Sequence, residues 1–175
     1  MTRIAGTEPA RDDVRPEALP AGAVHPAVSV SECLGHDHRV LDSMLIDIEA
    51  FVQERSFDLA MEYLAPFHKR LETHMDAEEV ILFPTYERAT GCDGPTTVMR
   101  REHAEIRRLM RALRASLSGT GMPADPLHLL EEIARVLESH NAKEERVLYP
   151  EVDARVAAGQ IAPLVARVET FLGES

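Results

Sequence analysis

Two stretches of this 175-residue chain repeat a pattern of side chains able to bind metal. His74-Met75-Asp76-Ala77-Glu78-Glu79, closing on Leu82-Phe83-Pro84, returns as His140-Asn141-Ala142-Lys143-Glu144-Glu145, closing on Leu148-Tyr149-Pro150. Each copy has a second histidine upstream at a matched distance: His38 lies 36 residues before His74, and His103 lies 37 before His140. A histidine and a glutamate four residues apart share one face of a helix, one turn from each other. His74 with Glu78, and His140 with Glu144, can therefore each present a nitrogen and an oxygen to one centre. Mixed imidazole and carboxylate ligands suit iron or manganese, and six of them shared by two ions leave positions for a solvent-derived bridge and an exogenous molecule.

Those residues need helices to carry them, and the apolar periodicity supplies four. Ser29 and Glu32 form a capping box before a helix over about 30–54, marked by Leu34, Leu41, Leu45, Ile48 and Val52. Ser56 is expected to cap a second helix bearing Leu59, Tyr63, Phe67, Leu71, Met75, Ile81 and Leu82 and ending somewhere after Pro84, with Pro66 and Pro84 warning of kinks or an early end. Thr90 to Pro95 reads as a loop, followed by a third helix over about 95–117 on Val98, Ile106, Leu109, Met110, Leu113 and Leu117. Ser118 to Ala124 is a tight reversal, and Asp125-Pro126 supplies the N-cap and first residue of a fourth helix running to about Pro150. A shorter helix is expected over about 151–172. The fold class is all-α: an antiparallel up-down-up-down four-helix bundle with a short C-terminal appendage helix. A Pro-rich arm over 1–28, holding Pro9, Pro16, Pro20 and Pro26, precedes the bundle at 29–151, and the appendage occupies 152–175.

Counting along these helices brings the histidines together. His38 lies about 14 residues before the first turn and His74 about 16 after it, roughly 21 and 24 Å along their axes. His103 and His140 each lie about 14 residues from the second reversal. His38 heads the row Leu41, Leu45, Ile48 and Val52, His103 leads Ile106 and Met110, and His140 follows Ile133 and Leu137, so each faces the core. Four imidazoles and two carboxylates beside leucines are costly without partners, and two cations would partner all six. The residues alone leave two other readings open, a bundle with ordinary interior histidines and a site for a single ion.

Composition narrows the setting. Thirty acidic residues against nineteen Lys and Arg give a formal charge of -11, which argues against non-specific binding to nucleic acid or anionic lipid and leaves metal cations and basic polymers as partners. Cys33 and Cys92 are too few for a disulfide framework and lack CxxC spacing, which points to a reducing compartment. With no apolar targeting core and no run of about 18 apolar residues, a soluble, cytoplasmic protein without membrane contact is expected.

The paired motifs and their upstream histidines resemble those of the hemerythrin and hemerythrin-like family, the HHE cation-binding domain, over roughly residues 30–151. The resemblance implies a four-helix bundle around a non-haem di-iron centre, two iron ions with an oxo or hydroxo bridge, manganese being the alternative metal. It implies that His38 and His74 serve one ion, His103 and His140 the other, and that Glu78 and Glu144 bridge them. Oxygen-carrying hemerythrins place two histidines four apart on the third helix and an aspartate five after the fourth-helix histidine. Here Arg107 stands four after His103, and Glu144 four after His140. The site is therefore more symmetric, as in many bacterial homologues and in iron-sulfur repair proteins. Arg107 cannot ligate, and facing the centre it would need an acid or a bound anion.

The resemblance implies binding or sensing of dioxygen, nitric oxide or peroxide in stress response. Alternatives are a di-iron oxidoreductase that removes peroxide or nitric oxide, or an iron-sulfur repair protein that donates iron. Against the repair reading, no N-terminal cysteine-bearing domain of the kind common in that subgroup is found. A metal-dependent regulatory bundle, with the arm and appendage as contact elements, is a further class. Around the ligands, Glu79, Glu145, Arg107 and Tyr149 are candidates for a supporting shell. His36 lies about 200° around the helix from His38 and is expected to face away. His68 and His128 have no counterpart in the repeat, His25 falls in the arm, and Tyr63 and Tyr86 are assigned no catalytic role.

Overall fold

A computed structural model describes residues 28–120 and 124–173, all of their regular structure helical. The arm expected over 1–28 lies outside the described residues except for Val28, and so does the tip of the reversal at 121–123. Helix α1 (Val30–Gln53) begins where Ser29, in extended backbone, accepts the Glu32 amide on its hydroxyl at 3.0 Å. Glu32 returns the contact to the Val28 amide, one residue earlier than a strict capping box. A second acid joins from the far end of the chain: Asp153 accepts the Val30 amide at 2.8 Å, the Ser31 amide at 3.1 Å and the Ser31 hydroxyl at 2.6 Å. Orphan amides at the positive end of α1 thus meet a carboxylate from another element.

Helix α2 (Phe57–Ala77) lacks the side-chain cap expected from Ser56. The chain turns instead on Arg55, whose φ of 60° is left-handed, and the Ser56 amide closes back on the Phe51 carbonyl at 2.8 Å. Pro66 sits inside α2 without ending it. A π-helical turn over Glu78–Leu82 leads into α3 (Phe83–Thr90), and another over Glu144–Leu148 joins α5 (Pro126–Lys143) to α6 (Tyr149–Arg155). In each the next amide, of Phe83 or Tyr149, donates to the carbonyl five residues back, Glu78 or Glu144. A proline lacks an amide and crowds the carbonyl four residues behind it. The wider turn before Pro84 and Pro150 relieves that crowding, so the second rod runs past Pro84 to Thr90, as expected, and the fourth passes Pro150, where an end was expected, to Arg155.

Helix α4 (Gly94–Leu117) follows the left-handed Gly91, which closes α3. Asp125 caps α5 through the Leu127 amide with Pro126 at the first position, as expected. The helix expected over 151–172 is divided: α6 runs to Arg155, Val156 is extended, and α7 (Ala158–Gly173) follows.

Helix α1 packs on α2 and α5, and α4 packs on α5 and α2, so each of the four long segments has two long neighbours. Two apolar clusters result. One joins Leu41, Leu45 and Ile48 of α1, Phe67 and Leu71 of α2, Ile106 and Leu109 of α4, and Ile133 and Leu137 of α5. The other joins Val30 and Leu34 to Leu82, Phe83, Met99, Leu148, Tyr149 and the α7 residues Leu164, Val165 and Val168. On every long segment the repeated polar residues fall where one cluster gives way to the other.

Replacing Asp153 by Ala should free the first amides of α1 and lower stability by about 1–3 kcal/mol, the scale of partly buried hydrogen bonds to a charged acceptor. Hydrogen exchange at Val30 and Ser31 should accelerate, and unchanged protection there would contradict this role.

Candidate metal centre

The polar layer between the clusters contains His38, His74, Glu78, His103, His140 and Glu144, none more than 2% exposed. His38 Nε2 lies 3.1 Å from His74 Nε2, and His103 Nε2 lies 3.2 Å from His140 Nε2. Glu144 reaches both pairs, Oε2 at 3.4 Å from His38 Nε2 and Oε1 at 3.2 Å from His140 Nε2. Glu78 Oε2 also lies between pairs, 3.3 Å from His103 Nε2 and 3.6 Å from His74 Nε2. Donor atoms of Glu78, His103, His140 and Glu144 fall within 4.8 Å of one another, as do those of His38, His74 and Glu144.

Each imidazole is held from behind by a carboxylate on a neighbouring segment. His38 Nδ1 donates to Glu145 at 2.8 Å, His74 Nδ1 to Asp37 at 2.8 Å, His103 Nδ1 to Glu79 at 2.8 Å, and His140 Nδ1 to Glu102 at 3.0 Å. Three of these acids are themselves paired: Asp37 with Arg70, Glu102 with Lys143, and Glu79 with Arg107 at 2.7 Å. Arg107 also binds Glu72 at 2.8 Å and Asp76 at 2.9 Å, so its charge is met by acids. Glu79, held by the His103 hydrogen bond and then by Arg107, has its pKa lowered to about 2.

With Nδ1–H turned outward, each neutral imidazole aims its Nε2 lone pair inward. The oxygens they face include Glu78 Oε2 and Glu144 Oε1, which are buried and make no hydrogen bond. Lone pairs confronting lone pairs inside an apolar shell require protons or cations between them. Protons partly serve in the chain alone. Burial opposes charging His38, yet Glu144, Glu78 and Glu145 outweigh it and raise its pKa to about 9. Burial likewise opposes charging His103, but Glu78 and Glu79 raise it to about 9. Glu144 moves the other way: burial opposes its charge, but the neighbouring His140 and His38 rings outweigh it and lower its pKa. Nitrogen and carboxylate donors converging this way fit iron or manganese.

Tyr149 is fully buried and its hydroxyl lies 2.6 Å from Glu78 Oε1 and 3.1 Å from Glu144 Oε2. A small cavity of about 10 Å³ borders His38, His74 and His140 beside Met75, Ile106 and Leu137, room for about one water. His36 and His128 are exposed, and His68 is partly exposed beside Glu72 at 3.3 Å. His25 lies outside the described residues, Tyr63 is half-exposed against Phe51, and Tyr86 is buried in the second apolar cluster. Asp37 and Glu102 escaped the reading of the sequence. Their signal was a second repeat, an acid immediately before each upstream histidine, in Asp37-His38 and Glu102-His103.

The family model described as Hemerythrin HHE cation binding domain matches residues 29–152. The iron-sulfur cluster repair protein YtfE of Enterobacter sp. (strain 638) is 31% identical over 108 residues, 57% of this chain and 47% of the relative. The proteins of that name from Escherichia coli O1:K1 / APEC and Shigella boydii serotype 18 (strain CDC 3083-94 / BS512) are each 30% identical over 108 residues with the same coverage. The chain thus spans about half the length of the curated relatives it matches. No solved structure matches it.

For the metal-free chain, the raised pKa values of His38 and His103 contribute stability that is complete below about pH 6.5 and lost as pH rises through about 9. The lowered pKa of Glu144 contributes stability that is lost as pH falls below its ordinary carboxylate range. Chelator-treated protein should therefore show a Tm that falls between pH 6.5 and 9, measured by circular dichroism. A flat Tm across that window would contradict the proton-held layer.

Proposed function

The chain belongs to the hemerythrin HHE cation-binding family, and on that premise we propose that it is a non-haem di-iron protein that binds or senses dioxygen, nitric oxide or peroxide in stress response. The observation that carries this reading is the pair of buried carboxylate oxygens, Glu78 Oε2 and Glu144 Oε1, left without hydrogen bonds among four inward-facing Nε2 atoms. His38 and His74 would hold one ion, His103 and His140 the other, with Glu78 and Glu144 shared between them. The same reading includes the up-down-up-down four-helix bundle at 29–151, the arm at 1–28 and the C-terminal appendage at 152–175. No described helix is long and apolar enough to cross a membrane, and we place the protein in the cytoplasm.

When bound, a ferrous pair supplies open coordination positions and two electrons to a small ligand. The protein's part is positional. Glu145, Asp37, Glu79 and Glu102 fix the four ring orientations, and the apolar clusters on either side keep bulk water from the layer. The small cavity at His38, His74 and His140 limits an incoming molecule to a few atoms unless the surroundings move.

A second reading, iron-sulfur repair by donation of iron, is favoured by the similarity to the iron-sulfur cluster repair proteins YtfE. Turnover of peroxide or nitric oxide is the corresponding oxidoreductase activity.

Anaerobic loading with ferrous iron should give about two ions per chain. His74→Ala and His140→Ala should each lower that number while leaving helicity intact, and full loading of both variants would contradict the ligation. Optical spectra then separate the activities: a persistent adduct supports binding or sensing, rapid peroxide loss supports an enzyme, and iron transfer to a cluster-deficient acceptor supports repair.

A further inference from the structure

The candidate ligands follow a two-fold repeat, but one pair of side chains near them does not. Tyr149 and Phe83 hold the same place in the two motifs, and each ring lies over an upstream imidazole, Tyr149 over His38 and Phe83 over His103, both at 5.7 Å between centroids. Only Tyr149 brings a hydroxyl. That hydroxyl has one hydrogen to give, and Glu78 Oε1 at 2.6 Å is its nearest acceptor. Glu144 Oε2 at 3.1 Å and His38 Nε2 at 3.2 Å complete its surroundings.

The effect is to divide the carboxylate oxygens unequally. Those within reach of the phenol are Glu78 Oε1 and Glu144 Oε2, the latter 3.4 Å from His38 Nε2. Those without any hydrogen bond, Glu78 Oε2 and Glu144 Oε1, lie 3.3 Å from His103 Nε2 and 3.2 Å from His140 Nε2. Both unencumbered oxygens therefore lie nearest the His103–His140 pair, although Glu78 Oε2 also stands 3.6 Å from His74 Nε2. The donor sets agree: His103 and His140 gather with two carboxylates, Glu78 and Glu144, whereas His38 and His74 gather with Glu144 alone. A short hydrogen bond to a carboxylate oxygen draws on the charge that the oxygen would otherwise give a metal. The outer contacts add to the difference: Arg107 locks Glu79 behind His103, whereas Glu145 behind His38 is 46% exposed.

We propose that Tyr149 is a positioning residue that makes the two ion positions unequal, a tight one at His103 and His140 and a weaker one at His38 and His74. The weaker position adjoins the small cavity through both of its histidines, the tight one through His140 alone, and the weaker is the one that accepts an exogenous ligand. This inference rests on the two-ion reading above and deepens it.

The test is an anaerobic calorimetric titration of the metal-free full chain with isotopically enriched ferrous iron, with Mössbauer spectra at one and two equivalents. Wild-type protein should bind in two steps whose Kd values differ by about tenfold or more, the scale of one charge-assisted hydrogen bond, and should show two doublets. His38→Ala should keep the tight step, and His103→Ala should lose it. Tyr149→Phe, which copies the native Phe83 arrangement, should merge the steps and the doublets. Adding Phe83→Tyr to Tyr149→Phe should move the tight step to His38 and His74, so that it then survives His103→Ala. Equal steps in the wild type, or the same separation in folded Tyr149→Phe, would overturn the proposal while leaving two-ion binding intact. If Tyr149→Phe does not fold, the contrast between His38→Ala and His103→Ala decides it, and equal losses overturn it. Folded wild type that takes up no iron overturns the two-ion reading and this inference with it.

Discussion

Electron pairs that face one another in a buried layer are the constraint on which this structure turns. Four imidazole Nε2 atoms and two carboxylates occupy one polar stratum, with leucines and isoleucines on one side and Leu34, Phe83 and Tyr149 on the other. A group of this kind cannot hydrogen-bond to itself, because every inward atom is an acceptor once the outward nitrogen carries the proton. Removing it from water is unfavourable unless positive charge enters the layer. The raised histidine pKa values are the protein's own response, and a metal pair would answer the same demand more completely.

The layer is held by contacts that cross between segments. Asp37 sits beside His38 in sequence but orients His74, and Glu102 sits beside His103 but orients His140. Glu79 and Glu145 follow the two glutamates and reach back to His103 and His38. Each histidine is therefore aimed by a neighbour's acid, and a slip of any one segment against its two neighbours would break two orientations at once. The π turns belong to this arrangement. They begin at Glu78 and Glu144 and let the rods pass Pro84 and Pro150, which allows the second apolar cluster to close over the layer.

Much of this was legible in the sequence because its period and its chemistry coincide. The spacing of His74 with Glu78 and of His140 with Glu144 needs only a helix, and the matched upstream distances place His38 and His103 at similar depth. Boundaries were less legible where chemistry is not local. Pro150 read as a stop and Pro84 as a warning of a kink or an early end, since a widened turn has no residue signature of its own. Ser56 read as a cap, but the backbone at Arg55 closed that turn instead. Asp153 as a partner of α1, and Asp37 and Glu102 as supports for histidines on other segments, depend on tertiary proximity. The doubled acid-histidine pair was visible, but without the packing nothing said where those acids point.

The central claim is that cations occupy the layer between the paired imidazoles. Anomalous diffraction at the iron edge, from crystals of anaerobically loaded protein, examines that position directly. The account requires two separate peaks, one beside His38 and His74 and one beside His103 and His140, with Glu78 and Glu144 reaching both. Iron seen only at surface carboxylates, with the layer filled by ordered water or left as in the metal-free chain, would contradict it.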